Sequence, residues 1–177
     1  MLLRALAVTI AVLGLTVAPL RADGIAATLA DQYGSSRGYR IVKRDALAWH
    51  HTTRNACVAF ASSALRHIGV AVPRPGPDGT EAISRLTGPF VQYLENDLGW
   101  SRVTDVATLQ RGDLLFTTDA PCCPGYPAHV VVMLGWRDQA RGIVRIVDNG
   151  GRDRDRPLAG DESRDLDPFA FALRPPA

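Results

Sequence analysis

Apolar residues recur with two different periods along this 177-residue chain, and the change falls near Gly99. Upstream the spacing is helical. Ile25, Leu29 and Tyr33 predict a short helix that ends at Gly34. Cys57, Phe60, Ala61, Ala64, Leu65 and Ile68 form an apolar stripe at three- and four-residue intervals, with Asn55 placed to cap that helix and Gly69 to end it. Thr80 can cap a helix through Ile83 and Leu86, and Pro89 can start another through Phe90, Val91, Leu94 and Leu98 that closes at Gly99. Tyr39 to Trp49 has apolar residues without a clear period and reads as irregular. Pro73 to Gly79, with three prolines and two glycines, reads as a turn-rich connection.

Downstream the period shortens towards two. Asp113–Thr117, His129–Trp136, Ile143–Val147 and Pro168–Leu173 are strand candidates, the second and third joined by a hairpin over 137–142. Gly150 to Asp167 is densely charged and reads as a solvated loop. Helices followed by a run of strands predict an α+β domain with an antiparallel sheet.

The first 22 residues carry an early Arg4, an apolar run from Ala5, and the exit Leu20-Arg21-Ala22, the pattern of a secretory signal peptide, with a retained anchor as the alternative. The apolar run is short for a membrane span, and Pro19 and Arg21 interrupt it. The expected organisation is therefore a signal peptide over 1–22 and one domain over 23–177, exported to the periplasm or beyond and not membrane-bound once the segment is removed. Removal takes away Arg4 and Arg21 and leaves 18 basic against 18 acidic residues. That neutrality argues against nucleic acid as a partner. Oligomeric state is not legible.

In an exported chain the three cysteines acquire meaning. Cys57 stands alone at a predicted helix start, whereas Cys122 and Cys123 are adjacent, flanked by prolines, and suit a vicinal disulfide or a link between two chains. Most free cysteines are small buried hydrophobes. At a helix start, however, unpaired amides favour a thiolate, and an imidazole nearby would complete a nucleophile. His67 lies about three turns further along the same helix and cannot reach Cys57; His50 and His51 precede it in a short connection. His129 opens the run Val130-Val131-Val132-Met133-Leu134 and is the sharpest candidate, because a polar residue leading a buried strand needs a partner. The next strand offers Asp148 and Asn149. Alternation puts Asp148 on the face of Val144 and Ile146 and favours it, while a one-residue slip would exchange the two.

Three segments, Asn55-Ala56-Cys57-Val58-Ala59-Phe60, Leu109-Gln110-Arg111-Gly112-Asp113-Leu114-Leu115-Phe116 and Ala128-His129-Val130-Val131-Val132-Met133-Leu134-Gly135, resemble in order and spacing the NlpC-type cell-wall peptidases and the related CHAP amidases. The resemblance spans Ala48 to Pro175, with Phe169 to Pro175 similar to the last strand. It implies a papain-like fold and a cysteine hydrolase cutting amide bonds of peptidoglycan stem peptides, or the sugar–peptide junction, without a cofactor. It carries the nucleophile to Cys57, the base to His129 and the third member to Asp148 or Asn149, and gives Gly112-Asp113 a structural role as a turn into a strand. The chain departs from the family where NlpC enzymes commonly read aspartate-cysteine-serine-glycine, and in offering an aspartate as third member.

Two other classes compete. An inactive relative would bind cell wall or a partner without chemistry. A metal site would draw on Cys57, Cys122, Cys123, His50, His51 and His129, whose spacings do not match the usual paired zinc patterns.

Overall fold

The structure, a computed structural model, describes residues 22–76 and 81–176. Residues 1–21 of the segment read as a signal peptide, and the expected cap Thr80, lie outside the described residues. Helix α1 spans Ala22–Gly34, α2 Ser36–His50, α3 Cys57–His67, α4 Glu81–Arg85 and α5 Thr87–Gln92, the last running on into a π-helical turn over Tyr93–Asp97. The strands are β1 Ser101–Val103, β2 Leu114–Thr117, β3 Val130–Asp138, β4 Ile143–Asp148, β5 Gly151–Pro157 and β6 Phe169–Arg174. They form one antiparallel sheet in the order β1-β6-β2-β3-β4-β5. The fold is α+β, with the helices N-terminal to the sheet. No helix among the described residues is long and apolar enough to cross a membrane.

The sheet has a core on each face. On one, Phe116, Val130, Val132, Val147 and Leu173 pack with Leu29 and Tyr33 of α1, Phe60 and Leu65 of α3, and Phe90 of α5. On the other, Leu115, Val131, Met133, Val144, Ile146 and Ala172 are closed over by Leu109 and Leu158. Burial on both faces explains why β2 and β3 read as unbroken apolar runs rather than alternating ones.

Three segments differ from the pattern-based expectation, the shortest being Ser101–Val103, which forms the edge strand β1 where no strand was expected. Tyr39 to Trp49 belongs to α2. The Ser35 hydroxyl caps this helix by accepting the Gly38 amide at 2.9 Å, and Tyr39, Val42, Ala46 and Trp49 recur at helical spacing on the face that packs against the core, a stripe blurred in the sequence by the extra apolar residues Ile41 and Leu47. The charged stretch after Gly150 is also not a loop throughout: it contains the edge strand β5. Its alternating charges make cross-strand pairs, Arg145 with Asp153 at 2.6 Å and Arg137 with Asp155 at 3.0 Å, and a charged edge resists pairing with other chains. A bulge at Asp153, whose φ is 54°, shifts the register so that Ile146 faces Arg154 while Val147 faces Arg152.

The Gly112-Asp113 turn ties the two layers together. Gly112 has φ 92°, and a Cβ there would run into the backbone of Ala26 in α1. Asp113 is fully buried; its carboxylate accepts the Gln110 amide at 2.8 Å and a two-pronged contact from Arg174 of β6 at 2.9 and 2.7 Å.

Candidate active site

The first residue of α3 is Cys57, half-buried, with its thiol free. The turn before it differs from the expected cap: Asn55 is exposed and left-handed at φ 53°, and Ala56 takes the cap position. No side chain caps α3. Its first turn therefore leaves the amides of Cys57, Val58 and Ala59 without helical acceptors, and the first turn closes with the Phe60 amide on the Ala56 carbonyl at 2.9 Å.

His129 stands immediately before β3. Its amide donates to the Thr117 hydroxyl at 2.8 Å and its carbonyl accepts the Thr117 amide at 3.1 Å, so the neighbouring strand holds the backbone from both sides. The β3–β4 register pairs Val132 with Val147. One step further along sets Asp148 opposite Val131, diagonal to His129 and on the same face. The side chains meet there: His129 Nε2 lies 2.9 Å from Asp148 Oδ2. With Nε2 engaged, Nδ1 is the nitrogen left to face Cys57, which is close enough to help raise the imidazole's proton affinity.

Asp148 is 2% exposed and His129 22%. Burial alone would pull the imidazole towards its neutral form, but the hydrogen bonds and charges of Asp148 and Cys57 outweigh it and raise His129 to about 9. Asp148 behaves oppositely. Burial pushes its carboxyl up, yet His129, the Arg154 guanidinium and the Gly150 amide, which donates to Oδ1 at 2.8 Å, together hold it below its ordinary range. Arg154 also pairs directly with Oδ1. The pair is thus an imidazolium on a fixed carboxylate at neutral pH.

Asn149 is placed differently. Its Nδ2 donates to the Thr53 carbonyl at 2.9 Å, and its own carbonyl accepts the Tyr39 hydroxyl, tethering the end of β4 to the connection that delivers Cys57. Tyr39 stacks on Tyr33 at 5.9 Å, and the buried Tyr33 hydroxyl is raised well above its ordinary value by burial and by Asp148. His50 bonds the Thr52 carbonyl, His51 closes α2 in a left-handed conformation, and His67 faces Asp45 at the far end of α3. Among the described residues no hydrogen bond joins these three to Cys57 or Asp148. Nor does any group of three or more His, Cys, Asp or Glu side chains among them form a metal-holding cluster. Cys122 and Cys123 are bonded to each other in the exposed turn that leads into His129.

The structure therefore gathers Cys57, His129 and Asp148 and separates Asn149 from the histidine. Sequence reasoning missed Thr117, Tyr33, Tyr39 and Arg154. For Arg154 a signal existed, the strict charge alternation from Arg152 to Arg156. For the tyrosines there was none, since helical apolar residues ordinarily mean core. Compared with protein-family models, curated proteins and solved structures, the chain matches none.

Proposed function

We propose that this protein is an exported cysteine hydrolase that cleaves amide bonds of peptidoglycan peptides, with a papain-like arrangement of its helices and sheet. The observation that carries the proposal is His129, bonded to Asp148 through Nε2 at 2.9 Å and near enough to the free Cys57 at the start of α3 for Cys57 to favour the ring's charge. In this reading the thiolate of Cys57 adds to the amide carbonyl, and the oxyanion is held by the free amides at the start of α3. His129 donates its Nδ1 proton to the departing amine, leaving a thioester on Cys57. Water, deprotonated by the now neutral His129, attacks the thioester; the carboxylate product leaves and the thiolate and imidazolium are restored. Asp148 stays ionised throughout, orienting the ring and stabilising its charge. The class of substrate comes from the resemblance to NlpC and CHAP enzymes and from the export signal.

Digestion of purified peptidoglycan, with mass spectrometry of the new termini, tests the proposal. The wild type is expected to release fragments with new amine and carboxyl ends, and Cys57→Ala and His129→Ala to release none while keeping their circular dichroism. Equal release by wild type and Cys57→Ala would refute it.

A further inference from the structure

Beside the catalytic histidine, on its strand-β5 side, lies a polar cleft of about 310 Å³ that the hydrolytic step does not use. His129 and Asp148 form one wall, Arg154 and Arg156 the next. Register explains the grouping: Arg156 pairs with Val144 and Arg154 with Ile146, so both arginines share the sheet face of Asp148.

Arg156 differs from the other arginines of this part of the sheet. Arg137, Arg145 and Arg154 are exposed or half-exposed and each is ion-paired, with Asp155, Asp153 and Asp148. Arg156 is only 7% exposed. One Nη2 proton goes to the Asp167 backbone carbonyl at 2.9 Å, and the guanidinium lies 5.0 Å from the Phe169 ring centre. Its Nε is buried with no acceptor, and no carboxylate among the described residues is ion-paired with it. Burial depresses its proton affinity, and the charges of Asp148 and Asp167 nearby only partly offset that loss. An unsatisfied donor on a buried charge is costly, and a buried charge ordinarily carries a partner.

We propose that this cleft is a carboxylate subsite, in which Arg156 takes a free carboxylate of the substrate lying next to the bond that Cys57 attacks. Arg156 makes no direct ion pair, and its Nη1, which has no protein acceptor and is not fully enclosed, is the donor that an anionic group in the cleft can reach. The walls limit its charge. Asp148, Asp165 and Asp167 border the cleft as well, which disfavours a doubly charged phosphate and suits a single carboxylate. Arg154 is already held by Asp148, leaving Arg156 as the free recognition group. The substrate class narrows accordingly to peptides with an ionised carboxyl close to the scissile amide, from a chain terminus or a side chain.

This inference rests on the hydrolase reading for the identity of its ligand, so binding is measured apart from turnover. The probe is a synthetic stem tetrapeptide, titrated by calorimetry into the Cys57→Ala protein in three forms: with all carboxyls free, with the terminal carboxyl amidated, and with the side-chain carboxyls amidated. One amidation is expected to weaken binding roughly tenfold and thereby identify the source of the carboxylate. Arg156→Met in the same background should bind the free peptide about as weakly and no longer distinguish it from that amide. Arg156→Lys, which keeps the charge and supports the fold if methionine does not, should retain part of the preference. Equal binding of all three forms, including none, would overturn the subsite, as would a preference that survives Arg156→Met. A preference found together with inert wild-type protein would overturn the hydrolase reading and leave the subsite standing.

Discussion

At the scale of single residues, the site depends on how one imidazole is shared. His129 is held protonated by Asp148 on Nε2 and by the nearby Cys57, against a burial that favours the neutral ring. Removing the carboxylate's charge should therefore move its titration down. In Asp148→Asn, the His129 ring is expected by NMR to titrate well below about 9, nearer the ordinary histidine value. The alkaline limb of kcat/KM should move the same way, because the leaving amine loses its acid once the ring deprotonates. The rate should fall about a hundredfold or more, from lost orientation as well as lost charge. An unchanged titration would mean that Asp148 does not govern the ring.

Phase on β4 made Asp148 readable from sequence, since alternation from Val144 and Ile146 leads to it. It could not reveal that Asn149 would tether the cysteine connection, because Thr53 lies 96 positions away. Asn55 shows the reverse failure. Asparagine before a helix predicts a cap, but it also tolerates left-handed backbone, and here it uses that second property.

At the scale of elements, the joints between layers matter most. The turn from Gly112 to Asp113 passes so close to α1 that a methyl group cannot be placed there, and its φ of 92° is unfavourable for any other residue. Gly112→Ala is expected to lower stability by about 3 kcal/mol or more, read as a shifted urea midpoint. A shift below about 1 kcal/mol would show that α1 yields easily. Three elements were missed by pattern reading, and the strands β1 and β5 share a cause. Each buries few side chains and prints no apolar period, β5 relying on cross-strand ion pairs, whereas the stripe of α2 is blurred by Ile41 and Leu47 and its start is fixed by the Ser35 cap. Elements that bury broad faces, such as α3 and β3, were legible for the opposite reason.

At the scale of the molecule, the site lies where the N-terminus of α3 meets the start of β3 and the end of β4. Its charges consequently couple to folding. His129 has a raised folded value, so its stabilisation is complete below its ordinary value of 6.5 and is lost as pH rises through about 9. Asp148 has a lowered value, so its stabilisation is present above the ordinary carboxyl range and is lost as pH falls through that lowered value. The melting temperature should therefore decline on both sides of a mildly acidic plateau that ends near 6.5. The alkaline loss should reach up to about 3 kcal/mol and shrink in Asp148→Asn. Identical profiles for wild type and variant would show that the pair does not stabilise the fold.

Local pattern alone determined the broad class of the molecule, helices before an antiparallel sheet, because hydrophobic period reports burial element by element. It also singled out Cys57 and His129, since a thiol at a helix start and a polar residue heading a buried strand are local anomalies. Tertiary structure decided the rest: that Asp148 meets His129, that the first turn of α3 is left uncapped, and that Arg156 is buried without a direct ion pair. Each of these turns on distances between strands and helices remote in sequence, set by register, a bulge and backbone close approach, none of which a one-dimensional period encodes.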